Sequence, residues 1–233
     1  MPEHISKQFD QELETIRSRV LQMGGLVEEQ IRHAMQALHT GDNLLIREVI
    51  QNENKVNDLE IEVDDICNHI IARRQPTAGD LRMVLTAIKM VRDLERVGDE
   101  AEKICRMAQL IHEAECQNLP RVELAHMAEV TVNMLHKVLD AFARMDVKAA
   151  MDVVREDAAV DDEFRAVLRQ LITYMMEDPR TISRSIELLF GAKAIERIGD
   201  HCKNMSEHVV YLVRGLDVRH KDIDDVQKDL AAR

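Results

Sequence analysis

The chain has 233 residues, a formal charge of −12 at pH 7, 32% charged residues and only 3% aromatic residues, with no tryptophan. So few aromatic, glycine and proline residues argue against a sheet protein, and the negative charge argues against a nucleic-acid partner or direct docking on an anionic membrane. No apolar run approaches the roughly 18 residues of a membrane span, and the N-terminus has no signal-peptide pattern, so we expect a cytoplasmic protein without membrane insertion.

Apolar residues recur at every third or fourth position along most of the chain, which predicts an all-α protein of six long helices. Capping residues, glycines and prolines set the predicted limits, in order: Ile5 to Gly41, Asp42 or Asn43 to Gln75, Thr77 or Asp80 to about Glu115, Pro120 to Arg144, Asp146 to Asp178, and Thr181 or Ser183 to Gly215. Gly24-Gly25 in the first helix predicts a bend or a close contact. Beyond Leu216 the sequence is charged and lacks a clear apolar stripe, so we expect a frayed tail.

One segment of the chain occurs twice. Glu95-Arg96-Val97-Gly98-Asp99 in the third helix is matched by Glu196-Arg197-Ile198-Gly199-Asp200 in the sixth, and Val56-Asn57-Asp58 in the second helix is matched by Val160-Asp161-Asp162 in the fifth. Six helices with a duplicated motif predict two tandem, sequence-related three-helix bundles. We place the first bundle at residues 1–116, the second at 117–216 and the tail at 217–233.

Acidic and amide side chains line one flank of the predicted helices in each half. Residues four apart share a helix face. Two helices joined by a short turn run antiparallel with their apolar seams facing each other. Side chains that lie on the same rotational flank of the seam on both helices therefore point to the same side of the pair. Counted from the connecting turns at about 1.5 Å per residue, the two flanks also overlap in height. Each bundle is therefore predicted to gather one cluster: Glu53, Asn57, Glu95 and Asp99 in the first, and Asp157, Asp161, Glu196 and Asp200 in the second.

These clusters predict metal binding. Neighbouring carboxylates repel one another unless a cation joins them, and oxygen ligands suit hard ions such as Mg²⁺, Mn²⁺, Ca²⁺ or iron. The alternative is a solvated acidic face stabilised by Arg96 or Arg197, but the duplication favours a metal. Gly98 and Gly199 fall on the apolar seams, where they predict the close approach of another helix. The sequence contains no glycine-rich phosphate loop and no clear nucleophile–base pair, so we expect no enzymatic activity and no catalytic residue.

The sequence resembles the PhoU family from its His4-Ile5-Ser6 start to Gly215, and it looks similar to the proteobacterial members. The resemblance rests on an ordered set of motifs: the duplicated Glu-Arg-[Val/Ile]-Gly-Asp, the turn Arg73-Arg74-Gln75-Pro76-Thr77, Asp140-Ala-Phe-Ala-Arg-Met-Asp146, and Tyr174-Met-Met-Glu-Asp178.

The resemblance implies a negative regulator of the phosphate-starvation response. Such proteins link the ATPase of the phosphate ABC transporter to the phosphate-sensing histidine kinase, modulate phosphate uptake, and tend to form homodimers. A regulator of this kind binds one state of its partner more tightly than the other. We therefore expect a cytoplasmic protein that its partners recruit to the inner face of the membrane.

The family's metal-binding motifs correspond to the two clusters. Asn57 departs from the acidic pattern and adds no charge, whereas Asp161 keeps the second cluster fully acidic. We therefore expect weaker metal retention in the first bundle and the stronger site in the second.

The turn between the fourth and fifth helices is a candidate partner contact, with Arg144 at its centre and Ala143 and Asp146 beside it. The counterpart of Arg144 in the first half is Thr40, so the repeat breaks its symmetry here; the alternative is an ordinary solvated arginine. Two other classes of protein stay open. A metal-dependent carboxylate-bundle enzyme would require turnover, and a structural helical spacer would tolerate charge reversal at Glu196 and Asp200.

Overall fold

The computed structural model describes residues 7–113, 120, 122–219, 221, 225 and 226. These residues form six long helices, which confirms the predicted all-α fold, and no strand occurs among them: α1 Lys7–Thr40, α2 Asn43–Arg74, α3 Ala78–Glu113, α4 Ala125–Arg144, α5 Val147–Glu177 and α6 Ile182–Arg214. The 3-10 turn Pro179–Thr181 leads into α6.

Local capping signals account for the limits of several helices. Asp42 caps α2 by accepting a hydrogen bond from the backbone N–H of Leu44 at 2.8 Å. Gln75 ends α2 in the left-handed region, with φ 47°, directly before Pro76. Asp146 caps α5 in the same way as Asp42 caps α2. The connections α1–α2 and α4–α5 are therefore matched turns of the repeat.

The predicted start of α4 at Pro120 is wrong. Pro120 is buried outside the helix, which begins at Ala125. The side chain of Glu123 accepts a hydrogen bond from the backbone N–H of Ala125 at 3.3 Å, and Leu124 is 5% exposed in front of it. Glu123 and Leu124, not the proline, thus define the first turn of α4. As a result α4 has 20 residues, whereas α1, its counterpart in the first repeat, has 34.

Helices α1, α2 and α3 pack as one bundle, and α4, α5 and α6 pack as the second. The bundles meet along α3 and α6 and along α1 and α4. Arg82 near the start of α3 donates to the carbonyl of Leu212 near the end of α6 at 3.3 Å, while Glu100 of α3 pairs with Arg197 at 3.2 Å. The two helices that carry the duplicated motif therefore pack antiparallel at the centre of the molecule.

Helix α1 continues through Gly24 and Gly25 without a break. A Cβ at Gly24 would lie 2.5 Å from Cδ1 of Leu139 on α4, whereas a Cβ at Gly25 would meet nothing within 4 Å. Of the two alternatives that this glycine pair predicts, the close contact is therefore the one found.

Two valines near the C-terminus differ from the expected frayed tail. Val218 and Val226 are 4% and 3% exposed and belong to the apolar core. Single apolar side chains between charged or polar neighbours are therefore buried here, within the segment that the sequence predicts to fray. The predicted limit between residues 116 and 117 lies outside the described residues.

Candidate functional site

The first acidic cluster centres on Glu53 of α2, which is only 7% exposed. Its Oε2 accepts a hydrogen bond from Nε2 of Gln30 on α1 at 3.0 Å, and Gln30 is completely buried. A Cβ at Gly98 would lie 2.6 Å from the same Oε2. The glycine of the duplicated motif therefore lets a buried carboxylate rest against α3.

This buried pair is incompletely satisfied. Oε1 of Glu53 and Oε1 of Gln30 are both buried and have no hydrogen-bond partner among the described residues. Burial raises the pKa of Glu53 to about 7, against the opposing effect of the hydrogen bond from Gln30. A buried carboxylate is strongly disfavoured as an unpaired ion. The position therefore favours either a proton on Glu53 or a cation beside it.

Three acids on α3 face Glu53. The negative charges of Asp99, Glu102 and Glu95 each raise the pKa of Glu53 further. The pKa of Glu95 is itself raised, by burial and then by the charge of Asp99. Glu102 forms an ion pair of 2.7 Å with Arg106, whose side chain is 63% exposed. The structure thus places Glu53, Glu95 and Asp99 on one surface, as the height matching predicts, together with Glu102 from the same flank of α3.

Asn57 lies one turn after Glu53 on α2 and is half-buried. Glu60 follows on the next turn, and its pKa is raised by burial and then by the charge of Glu95. The row of oxygen-bearing side chains on α2 therefore continues past the predicted pair toward the Pro76 turn.

The second cluster centres on Asp157 of α5, which is 4% exposed. A Cβ at Gly199 would lie 3.4 Å from its Oδ1, so Asp157 takes the place over α6 that Glu53 takes over α3. Lys203 of α6 donates to Oδ2 of Asp157 at 2.9 Å. Burial lowers the pKa of Lys203, but the hydrogen bond and the charge of Asp157 outweigh it and raise the pKa overall. Asp157 is therefore paired with a charged ammonium group.

A second lysine neutralises Glu196, which is 9% exposed. Nζ of Lys193 lies 2.5 Å from each oxygen of the Glu196 carboxylate. Burial raises the pKa of Asp200, and the charges of Glu196, Asp157 and Asp161 add to the rise. The four predicted acids of the second bundle therefore also face one another, but two of them are held by lysines.

No three His, Cys, Asp or Glu side chains in the described part of the chain are arranged to hold a metal ion as they stand. The first cluster nevertheless fits a hard cation chemically, because a buried carboxylate oxygen lacks a partner beside acids on an adjacent helix. The second cluster already contains two cationic partners. The residues present therefore fit a cation better in the first bundle than in the second.

The interface between α3 and α6 contains a buried acid that the sequence analysis did not single out. Asp93 is 9% exposed and accepts from His201 Nδ1 at 2.9 Å and from His208 Nε2 at 3.1 Å. Burial raises the pKa of Asp93, but the hydrogen bonds and charges of the two histidines outweigh this and lower the pKa overall. The matching position in the second repeat is Ala194, so this link between the bundles occurs on one side only.

The three residues of the predicted partner contact lie together at the turn between α4 and α5. The Arg144 side chain is 74% exposed and pairs with Asp140 at 2.8 Å. Ala143 is half-buried, and Asp146 accepts from the backbone N–H groups of Lys148 and Ala149. Asp146 therefore has a structural role as a helix cap, whereas Arg144 is available to a partner.

The fold and the clusters define a tandem-repeat protein of two three-helix bundles, each with an acidic cluster at the same place. A family model described as the PhoU domain matches the chain twice, at residues 20–108 and 124–209. The chain belongs to the PhoU family, which confirms the resemblance seen in the sequence.

Relatives and solved structures match over nearly the whole length. The phosphate-specific transport system accessory protein PhoU of Serratia marcescens is 50% identical over 230 residues, covering 98% of this chain and 94% of that protein. The crystal structure of PhoU from Pseudomonas aeruginosa has a TM-score of 0.86 at 45% identity and covers 89% of this chain and 100% of that one. The phosphate transport system regulatory protein PhoU from Streptococcus pneumoniae has a TM-score of 0.82 at 27% identity, covering 89% of this chain and 98% of that one.

These relatives are named as accessory or regulatory proteins, not as enzymes, in agreement with the expected lack of catalysis. Among the described helices, none combines the length and the apolar character needed to span a membrane.

Proposed function

We propose that this chain is a negative regulator of the phosphate-starvation response. In this role it couples the ATPase subunit of the phosphate ABC transporter to the phosphate-sensing histidine kinase and modulates phosphate uptake. The observation that carries the proposal is the end-to-end similarity to proteins named as phosphate-specific transport system accessory proteins. The chain would act as a homodimer. It would work in the cytoplasm at the inner face of the membrane, because the transporter and the kinase lie there.

An exposed surface for partners supports this adaptor role. Arg144 projects from the α4–α5 turn, where the first repeat has Thr40. On α6 of the second bundle, Ile182, Ile186 and Phe190 are 40%, 38% and 58% exposed at helical spacing. Contiguous exposed apolar residues are typical of protein interaction sites. The second bundle therefore presents both a charged and an apolar contact.

Capture from phosphate-replete cells tests the proposal. The tagged full-length chain is expected to retain the transporter ATPase and the histidine kinase. Arg144→Glu is expected to lose the kinase, whereas Arg155→Glu, at an exposed arginine with a local acidic partner, keeps it. Capture of neither protein by the unmodified chain would contradict the regulatory role. Wild-type capture by Arg144→Glu would remove this turn from the contact surface.

We also propose that the carboxylate clusters bind a hard metal ion: Mg²⁺, Mn²⁺, Ca²⁺ or iron. The unpaired Oε1 of Glu53 beside the acids of α3 supports this. Charge reversal at Glu196 and Asp200 distinguishes an adaptor from a structural spacer. If the chain is a spacer, the charge-reversed variant would still repress phosphate-starvation genes normally, whereas an adaptor would lose this repression. Turnover by the purified, metal-loaded chain in an activity screen would favour the enzyme instead.

A further inference from the structure

The two acidic clusters differ at one pair of matched positions. Counted from the duplicated motif, Lys203 lies three residues after Asp200, and Glu102 lies three residues after Asp99. Lys203 donates to Asp157 at 2.9 Å, whereas Glu102 adds a further negative charge beside Glu53. The same helical position therefore supplies a cation to one repeat and an acid to the other.

A second pair of matched positions differs in the same direction. Lys193 lies three residues before Glu196 and contacts both oxygens of its carboxylate. The matching residue before Glu95 is Arg92, which is exposed and makes no ion pair within the described part of the chain. The second cluster is thus neutralised by two lysines that bond its carboxylates directly. In the first cluster, the charges of Arg96 and Arg92 oppose the rise that burial causes in the pKa of Glu95, but the described residues show no ion pair between either arginine and Glu95.

We propose that Lys203 and Lys193 take the place of a metal ion in the second bundle, and that Glu102 completes a cation site around Glu53 in the first. The proposal rests on the metal binding proposed above and assigns it to one repeat. It places the metal ion in the first bundle, whereas Asn57 and Asp161 alone suggest that the second bundle holds it more strongly.

The environment of each residue supports this assignment. The Arg106 partner of Glu102 is mostly solvent-exposed, and exposed ion pairs contribute little, so a divalent ion displaces Arg106 easily. The Lys203 side chain is 39% exposed, but the Asp157 side chain that it binds is only 6% exposed, whereas the Glu102 side chain is 18% exposed. Moving Lys203 away would leave a buried carboxylate without its partner, which is strongly unfavourable. A metal ion therefore competes with a largely exposed arginine for Glu102 in the first bundle, but with lysines bound to more deeply buried carboxylates in the second.

Titration of the purified full-length chain with Mn²⁺ tests the assignment, with bound ion counted by calorimetry and by the electron paramagnetic resonance signal of free Mn²⁺. Glu102→Lys gives the first cluster the residue of the second and is expected to weaken the strongest site at least tenfold. Lys203→Glu gives the second cluster the residue of the first and is expected to add a site of comparable affinity. The double variant Glu102→Lys/Lys203→Glu keeps the net charge of the wild type and is expected to move the site.

The position of the bound ion is read separately. Mn²⁺ broadens nuclear magnetic resonance signals near it, so the wild type should lose the side-chain amide signal of Gln30, which bonds Glu53. The double variant should instead lose the methyl signal of Thr131, which lies 3.8 Å from the Cβ position of Gly199. Thermal unfolding by circular dichroism confirms that each variant is folded.

Three results would overturn the assignment to the first bundle while leaving metal binding itself in place: an unchanged strongest site in Glu102→Lys, no added site in Lys203→Glu, or broadening of Thr131 before Gln30 in the wild type. A wild type that binds no Mn²⁺ would overturn this proposal and the metal binding on which it rests. None of these four results would affect the regulatory role, which the capture experiment tests without reference to metal.

Discussion

The carboxylate of Glu53 on α2 lies directly over Gly98 on α3: a Cβ at position 98 would come within 2.6 Å of Glu53 Oε2 and within 3.3 Å of Gln30 Oε1. The matching distance from a Cβ at Gly199 to Asp157 Oδ1 is 3.4 Å, an ordinary contact. The duplicated glycines are thus not equivalent. Gly98 makes room for a buried hydrogen bond, whereas Gly199 has space for a methyl group.

Alanine at these two positions should therefore have opposite effects. Glycine inside a helix costs about 1 kcal/mol relative to alanine, so Gly199→Ala should be neutral or stabilise the chain by up to that amount. Gly98→Ala makes the same gain but displaces Glu53 from Gln30, and disrupting a buried hydrogen bond costs about 1–3 kcal/mol. Urea unfolding should show Gly98→Ala less stable than Gly199→Ala by at least about 1 kcal/mol. Equal stabilities would contradict the close contact.

The glycine pair in α1 allows a second matched comparison. A Cβ at Gly24 would overlap Leu139, with both methyl carbons within 2.6 Å, while Gly25 faces open space. Overpacking a core contact typically costs about 1–3 kcal/mol, so Gly24→Ala should destabilise the chain despite the better helix propensity. Gly25→Ala should stabilise it by up to about 1 kcal/mol. Thermal unfolding of the two variants would contradict the α1–α4 contact if both melted above the wild type.

Helix number and most helix limits follow from local signals in the sequence. Asp42 and Asp146 cap α2 and α5 where the sequence predicts caps. The start of α4 is different, because Pro120 fits a first helical turn but is buried outside the helix. Its position depends on how the connecting segment packs against the bundles, which the local pattern does not contain.

The acidic clusters follow from periodicity and height, but their neutralisation does not. Helical geometry is enough to place Glu95 and Asp99 beside Glu53. Gln30 also carries a signal, since it lies three residues after Val27 and four before Ala34 at core spacing. The pairing of Lys203 with Asp157 connects two helices through a flexible side chain. Such a contact depends on the rotamers of both residues, and those become fixed only in the packed structure.

The buried link at the α3–α6 interface should be important for stability. Asp93→Ala removes the acceptor of two histidine ring nitrogens in a buried site. Removing one partner of a buried, charged network costs about 3–5 kcal/mol. Asp152→Ala is the matched control, because it breaks an exposed pair with Arg155 that contributes about 0–1 kcal/mol. Urea unfolding that shows similar losses for both variants would contradict a structural role for Asp93.

The α4–α5 turn allows a structural role and a binding role to be separated. Asp146 accepts hydrogen bonds from two backbone N–H groups at 2.9 and 3.1 Å, and loss of such a cap costs about 1 kcal/mol. Asp146→Ala should therefore lower stability by about that amount, as should Asp42→Ala at the matching turn of the first repeat. Among the described residues Arg144 pairs with Asp140, whose side chain is 45% exposed, so Arg144→Ala should change stability by less than about 0.5 kcal/mol.

Capture of the histidine kinase should show the reverse order. At a temperature where every variant is folded, Arg144→Ala should retain less kinase than the wild type, because it removes an exposed guanidinium without disturbing the turn. Asp146→Ala should retain a normal amount, because its side chain is occupied by the α5 backbone. Loss of capture in Asp146→Ala, with full capture in Arg144→Ala, would transfer the contact from the arginine to the cap.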